Sequence, residues 1–135
     1  MLRIRILKLN KLRCHEEVSK RYVEKLKIKI QKEKRFTSAI FVDKKSGVIL
    51  DGHHRYYVAC SLNLRKIPCI CVNYLEDYSI QVLPRRKMSI SKDEIIQKAL
   101  GNNRFPYKTT KHMLNGIPTH DIQIRVNIPL SELKR

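Results

Sequence analysis

The chain has 135 residues, of which 29 are Lys or Arg and 12 are Asp or Glu, so its formal net charge is +17, and 42% of its positions are apolar. Roughly 100 to 200 residues make one domain, so this length and apolar share argue against intrinsic disorder and predict a single domain over residues 1–135. The sequence contains no apolar run near the roughly 18 residues of a membrane span, and its N-terminus lacks the apolar region of a signal peptide. We therefore expect a soluble, cytoplasmic protein without a membrane partner, whose positive charge favours anionic ligands.

The first half of the chain predicts alternating strands and helices. Apolar residues at every second position of residues 2–6 indicate an edge strand with one buried face. Residues 18–34 carry an apolar stripe at helical spacing behind a capping serine. Residues 39–43 and 48–50 are short β-rich runs joined by a turn that ends in glycine, which is typical of a β-hairpin. Residues 56–62 then predict a second helix.

The second half continues the alternation. Residues 67–72 are apolar on both faces and predict a central strand, and a further strand is expected near residues 79–83. A Ser-x-x-Glu capping box opens a helix over residues 91–101, which stops at a glycine. Residues 102–119 are expected to form a loop, and alternation over residues 122–128 predicts a final strand. The order predicts an α+β fold, with a small mixed sheet and flanking helices.

The most informative segment is Asp51-Gly52-His53-His54-Arg55, where a predicted strand ends and a helix begins. Backbone N–H groups at a helix start bind anions, glycine lets the backbone approach closely, and the Arg55 guanidinium can bind a phosphate with two hydrogen bonds. Asp51 would stand beside that anion, an arrangement that calls for a cation such as Mg²⁺, or a transferable proton, between them. The segment therefore predicts a phosphate-binding turn.

Three segments together resemble the archaeal free serine kinases of the ParB/sulfiredoxin superfamily, which phosphorylate L-serine to O-phospho-L-serine. The first is His15-Glu16, and the second is the hairpin with residues 51–55. The third is Phe-Pro-Tyr-Lys-Thr-Thr-Lys-His at residues 105–112, followed by Leu-Ser-Glu-Leu at residues 130–133. The resemblance implies a ParB/sulfiredoxin-like fold over nearly the whole chain.

The resemblance also implies roles for the matching positions. Glu16 corresponds to the general base, and Asp51 to a second catalytic acid that also binds the metal. Serine would be bound by Thr109 and Lys111. Members of the family carry Arg in place of Lys111. An arginine can bind a carboxylate or phosphate with two hydrogen bonds, whereas a lysine supplies a point charge. The implied cofactor is Mg²⁺, and the implied phosphoryl donor is ATP or ADP. The positions implied to bind the nucleotide phosphates are Gly52, His53, His54, Arg55, Lys108, Thr110 and His112.

The residues alone leave alternatives open. Phosphoryl transfer needs positioning, fixed positive charge and a carboxylate, all of which the sequence offers, but Glu16 in isolation would be typical of a solvated acid before a helix. A ParB-like DNA-binding or nuclease domain is the main alternative. The positive charge favours it, but the sequence shows neither a helix-turn-helix pattern nor a row of aromatic residues among the basic ones. Sulfiredoxin chemistry needs a cysteine in the turn, where this chain has His53. The oligomeric state stays open.

Overall fold

The computed structural model describes residues 3–85, 88–101, 104–106, 109–122 and 125–135. Predictions that involve Leu2, Lys108 and Ile124 lie outside the described residues. The helices of the described part are α1 (Lys20–Glu33), α2 (His53–Ser61), α3 (Lys92–Leu100) and α4 (Leu130–Leu133). The strands are β1 (Ile4–Lys8), β2 (Arg35–Ser38), β3 (Ile40–Asp43), β4 (Ile49–Asp51), β5 (Lys66–Val72), β6 (Ile80–Pro84), β7 (Thr110–Leu114), β8 (Ile117–Pro118) and β9 (Arg125–Pro129). Within that part, no helix has the length and apolarity that a membrane crossing requires.

A mixed sheet of four strands, in the order β1-β5-β3-β4, forms the centre of the molecule. β3 runs parallel to β5, whereas β1 with β5 and β3 with β4 are antiparallel pairs. Two smaller antiparallel sheets accompany it, one of β2 with β9 and one in the order β6-β7-β8. The predicted α+β class with a small mixed sheet is confirmed, as are the hairpin and the central position of the strand predicted at residues 67–72.

The core lies on both faces of the four-stranded sheet, because successive side chains of a strand point to opposite sides. Ile40 and Val42 of β3 belong to the cluster that packs against α1 and α2. Phe41 of the same strand belongs to the other cluster, with Ile95 of α3 and Phe105. Each face is therefore covered by at least one helix.

Helices α1 and α3 begin at the serines that the sequence indicated. Ser19 Oγ accepts a hydrogen bond from the Tyr22 N–H at 3.3 Å, and Ser91 Oγ accepts one from the Glu94 N–H at 3.3 Å. Such caps satisfy backbone donors that have no partner inside the helix. Tyr22 departs from the predicted buried stripe, because its side chain faces a cleft and the residue is 53% exposed.

Helix α2 starts at His53, three residues before the predicted start at Tyr56. The reason is Gly52, whose φ of 108° is a left-handed conformation that ends the strand and turns the chain directly into the helix. A Cβ atom at this position would lie 2.3 Å from Cγ2 of Ile40. The turn therefore requires glycine for its conformation and for its close contact with β3.

Three predictions for the periphery need correction. β1 is an edge strand, but its predicted buried face is wrong, since Ile4 and Ile6 are 41% and 42% exposed on a strand that pairs on one side only. The loop expected over residues 102–119 contains β7 and β8, because buried Thr110 and His112 take positions that apolar residues occupy in other strands. Strand β2 was not predicted, although it pairs with the final strand β9, which was.

Candidate active site

One cleft brings together most of the residues that the sequence singled out. It has a volume of about 520 Å³ and is lined by one side of α1, by the turn between β4 and α2, and by β7. The predicted site residues that line it are Glu16, Asp51, Gly52, His53, His54, Arg55, Thr110, Lys111 and His112. Thr109 lies buried behind this lining and contacts Glu16, whereas Lys108 is outside the described residues.

Glu16 is held against the segment that leads into β7. Its backbone forms an isolated bridge with Phe105, and its Oε1 accepts hydrogen bonds from the N–H groups of Thr109 at 3.1 Å and Thr110 at 2.9 Å. The Thr110 hydroxyl lies 3.0 Å from the same oxygen. Burial raises the pKa of Glu16, while these hydrogen bonds and the positive charge of Arg85 act in the opposite direction. Glu16 is thus a partly buried carboxyl group that holds a proton more tightly than an exposed one.

Asp51 ends β4 at the floor of the cleft. Its Oδ2 atom is buried and has no hydrogen-bond partner among the described residues. A buried carboxylate oxygen without a partner is costly, so the position suits a cation or a donor group that arrives with a ligand. Arg55 supplies nearby positive charge, and its Nη1 donates to the carbonyl of Ala39 at 2.7 Å. Burial lowers the pKa of Arg55, and the charge of Asp51 counteracts this.

The two imidazoles of the turn are fixed by backbone groups. His53 Nε2 accepts a hydrogen bond from the N–H of His15 at 3.2 Å, so the ring carries its proton on Nδ1. Burial is the largest cause of a His53 pKa well below the ordinary value. His54 Nε2 accepts from the N–H of Ser19 at 3.2 Å, and its ring contacts that of Tyr22 with centroids 4.8 Å apart. His54 thus joins the starts of α1 and α2, and His53 joins the start of α2 to His15.

His112 is also engaged by the protein. The Tyr74 hydroxyl lies 2.9 Å from its Nε2, and the Leu50 carbonyl accepts a hydrogen bond from the ring. Since that carbonyl can only accept, Nε2 is the unprotonated nitrogen and Tyr74 donates to it. Burial lowers the pKa of His112 to about 3. His112 therefore contributes a neutral ring to the cleft wall, with its ring nitrogens turned toward protein atoms.

Sequence reasoning missed two polar groups of the site. His15 is completely buried, with Nδ1 at 2.8 Å from the Ile49 carbonyl oxygen and Nε2 at 3.1 Å from Thr110 Oγ1. Arg85 lines the cleft, and its Nε donates to the Thr110 carbonyl at 3.0 Å. Neither had a local signal: His15 was noted only as the neighbour of Glu16, and Arg85 belongs to a run of basic residues typical of a solvated surface.

Comparisons with known proteins give partial sequence matches. No family model matches the chain. A segment of 63 residues is 49% identical to a ParB-like protein of Sulfolobus acidocaldarius, covering 47% of this chain and 31% of that protein. A segment of 73 residues is 36% identical to an ATP-dependent L-serine kinase of Desulfurococcus mucosus, covering 51% of this chain and 29% of that protein. The chain spans about a third of the length of these curated relatives.

The fold itself is that of a known structure. A free serine kinase solved in complex with AMP superposes with a TM-score of 0.83 at 13% identity, covering 96% of this chain and 93% of that one. A likeness of this extent at such low identity establishes the fold and leaves the chemistry to be argued from the site. It confirms the fold that the resemblance implied.

Proposed function

We propose that this chain is a nucleotide-dependent kinase that phosphorylates free L-serine to O-phospho-L-serine. The observation that carries the proposal is that the Glu16 carboxyl, with its raised pKa, lines the same cleft as the helix start at residues 51–55. The fold shared with a free serine kinase supports it, as does the partial sequence match to an L-serine kinase.

Glu16 serves as the general base in this proposal. All the hydrogen bonds that it accepts from described residues end on Oε1, which leaves Oε2 for the hydroxyl of serine. A carboxylate whose pKa is raised toward the working pH is a better proton acceptor than an exposed one. As the serine oxygen bonds to phosphorus and the bond from phosphorus to the nucleotide's bridging oxygen breaks, Glu16 takes the hydroxyl proton and later returns it to water.

The nucleotide phosphates bind at the start of α2. Residues of the first turn of α2 line the cleft, and the backbone N–H groups and dipole of a helix start favour an anion there. Arg55 adds fixed positive charge, and Lys111 adds more from β7. Lys111 is our candidate for serine binding, and Lys108 and His54 remain candidates for phosphate contacts. Thr109 is buried behind the lining, the Thr110 hydroxyl contacts Glu16, and both ring nitrogens of His112 face protein atoms, so we propose no direct ligand contact for these three side chains.

The residues present fit a Mg²⁺ ion, which Asp51 would hold. Its buried Oδ2 without a partner is the kind of single carboxylate oxygen that Mg²⁺ takes from a protein while phosphates and water complete its coordination. When bound, the ion would neutralise charge on the phosphates. We favour ATP over ADP as the donor, because the L-serine kinase of Desulfurococcus mucosus is described as ATP-dependent.

The test is direct product analysis. The purified chain is incubated with L-serine, Mg²⁺ and either ATP or ADP, and O-phosphoserine is measured by mass spectrometry. Glu16→Gln should lower kcat by about 10²- to 10⁴-fold, the usual contribution of a general base. Glu17→Gln is the matched control, because Glu17 is exposed next to Glu16 and should keep full turnover. Absence of phosphoserine with both donors, or full turnover of Glu16→Gln, would refute the proposal.

DNA binding is the second candidate, because the chain carries a net charge of +17 and a segment matches a ParB-like protein. Binding driven by phosphate contacts weakens steeply with salt, with a slope of about −0.9 in log K per contact. Tight binding to duplex DNA that persists near physiological salt, together with no kinase activity, would favour this alternative.

A further inference from the structure

Arg85 enters the cleft directly after β6 and is anchored to the backbone at the start of β7. Its N–H donates to the Thr109 carbonyl at 2.8 Å, and its Nε donates to the Thr110 carbonyl at 3.0 Å. A guanidinium has five N–H donors, and the Nε contact uses one of them. Among the described residues, no hydrogen bond or ion pair engages Nη1 or Nη2, and the residue is exposed. The side chain is therefore held at its base, and its forked end is accessible to a ligand.

The Thr110 backbone places this guanidinium beside the Glu16 carboxyl. The Thr110 N–H donates to Glu16 Oε1 at 2.9 Å, and the carbonyl of the same residue accepts from Arg85. Both side chains line the cleft, and as described they form no direct ion pair with each other. The positive charge of Arg85 nevertheless lowers the pKa of Glu16. The two groups are thus close enough to interact and far enough apart for a ligand to lie between them.

A ligand that contacts both groups must carry a hydroxyl and an anionic group a short distance apart. In the proposed reaction the serine hydroxyl binds Oε2 of Glu16, and the carboxylate of free L-serine is two carbon atoms from that hydroxyl oxygen. A carboxylate brought so close to the charge of Glu16 is repelled unless a cation stands beside it. A guanidinium suits this task, because its planar fork matches the two oxygens of a carboxylate.

The other cations of the cleft are less suited to the serine carboxylate. Arg55 Nη1 donates to the Ala39 carbonyl at 2.7 Å, and its charge interacts with that of Asp51, where the nucleotide phosphates are proposed to bind. Lys111 lines the cleft, but its ammonium is a point charge on a flexible stem. Arg85 alone among these three combines a fixed base with an accessible fork.

We propose that Arg85 binds the carboxylate of serine and thereby makes the cleft selective for a free hydroxy amino acid. The inference deepens the proposed function and rests on it for the position of the hydroxyl. It defines the substrate class, because a serine whose carboxyl group is an amide, as within a peptide, cannot make the charged contact. Such compounds should bind weakly even though they carry the same hydroxyl.

The test compares L-serine with L-serinamide, which replaces the carboxylate with a neutral amide. At a pH where Glu16 is ionised in every variant, the wild-type protein should prefer L-serine by about 10- to 100-fold in kcat/KM, the usual contribution of hydrogen bonds between charged groups. Arg85→Gln should raise the KM for L-serine by this factor and leave that for L-serinamide nearly unchanged. Arg85→Lys, which keeps the charge but not the fork, should restore part of the preference.

Two further variants make the result specific. Arg65→Gln removes an exposed charge elsewhere and should leave both KM values as they are. Lys111→Met tests the competing cation. If Lys111→Met abolishes the preference for L-serine and Arg85→Gln does not, the inference is wrong. It is also wrong if Arg85→Gln raises both KM values equally, since that would indicate a structural role, or if the wild-type protein shows no preference.

Calorimetric titration separates this inference from the proposed function. L-serine and L-serinamide are titrated into the protein with and without AMP, which does not donate a phosphoryl group here. L-serine should bind more tightly than L-serinamide to the wild-type protein and equally weakly to Arg85→Gln. If this pattern appears but no phosphoserine forms, the inference stands and the proposed function fails. Phosphoserine formation without a preference that depends on Arg85, or no binding of L-serine at all, would overturn the inference.

Discussion

The two walls of the cleft place their polar side chains in opposite environments. The inner wall consists of Glu16, Asp51, His53, Thr110 and His112, with the buried ring of His15 behind it. The outer wall is one side of α1, formed by Tyr22, Leu26, Lys29 and Glu33. The inner histidines are buried, with protein partners on their rings, whereas Tyr22, Lys29 and Glu33 are exposed to solvent.

The difference lies in what burial does to charge. Desolvation lowers the pKa of His15 to about 4 and of His112 to about 3, and it raises the pKa of Glu16. An exposed wall can supply contact area and screened charge but cannot shift proton affinities in this way. Substitutions in the inner wall should therefore change rate and pH dependence, and substitutions in the outer wall should change binding.

The largest expected effect within this comparison is at Asp51. Asp51→Asn keeps the size of the side chain but removes the charge that a cation at Oδ2 requires, so kcat should fall by about 100-fold or more. The half-saturating Mg²⁺ concentration should rise as well. Both are measured from phosphoserine formation over a range of Mg²⁺ concentrations. Asp93→Asn, an exposed substitution on α3, is the control, and an unchanged Mg²⁺ dependence in Asp51→Asn would contradict the assignment.

The next effect is a loss of stability in acid that originates in the inner wall. Histidine ordinarily titrates near 6.5, whereas the folded-state pKa is about 4 for His15 and about 3 for His112. As the pH falls below about 6.5, the unfolded chain takes up protons that the folded chain does not, so the free energy of unfolding decreases. Each histidine contributes up to about 1.4 kcal/mol per pH unit in this window.

Urea denaturation at several values between pH 7 and about pH 4 measures this slope. His15→Asn should make it shallower by removing one of the three buried histidines whose pKa is lowered, the others being His53 and His112. A stability that stays flat from pH 6.5 to pH 4 would show that the two rings are not held neutral in the folded protein.

The comparison of the walls also explains what could be predicted from the sequence. The hairpin and the turn at Gly52 depend on local features, namely short β-rich runs and a glycine at the point where the chain must turn, and both were predicted correctly. β7 was missed because Thr110 and His112 break the apolar alternation, although Asn115-Gly116, at φ angles of 51° and 76°, is a hairpin signal at its end.

The inner wall depends on contacts between distant parts of the chain. His15 meets Thr110 across 95 positions and Ile49 across 34 positions. No local pattern encodes such a meeting, so the resemblance could point to Glu16 as a site residue but not to the histidine behind it. Arg85 was missed for the same reason, since its place in the cleft depends on a bond from its guanidinium to the Thr110 carbonyl, 25 positions away.

Arg85 provides a smaller test of the inner wall. Its positive charge lowers the pKa of Glu16, in opposition to burial. Arg85→Gln should therefore raise that pKa and move the acid limb of kcat to higher pH, by less than about one unit because the cleft is open to solvent. Arg65→Gln, an exposed charge elsewhere, should leave the profile in place. A shift to lower pH in Arg85→Gln would mean that the guanidinium does not act on Glu16 through its charge.

The smallest effect is expected from Tyr22 in the outer wall. Its ring is 53% exposed, lines the cleft and contacts the ring of His54, so it offers a flat apolar surface to a nucleotide base. An aromatic contact of this kind contributes about 0.5–1.5 kcal/mol, so Tyr22→Ala should raise the KM for the nucleotide by about 2- to 10-fold. Tyr22→Phe should restore it, and Tyr78→Ala, at a position that is 88% exposed, should have no effect. Among the described residues, the ring that Tyr22 contacts is His54, which lies outside the inner wall, so kcat and its pH profile should stay as they are. A change in either would show that the two walls are coupled through His54, which joins the start of α1 to that of α2.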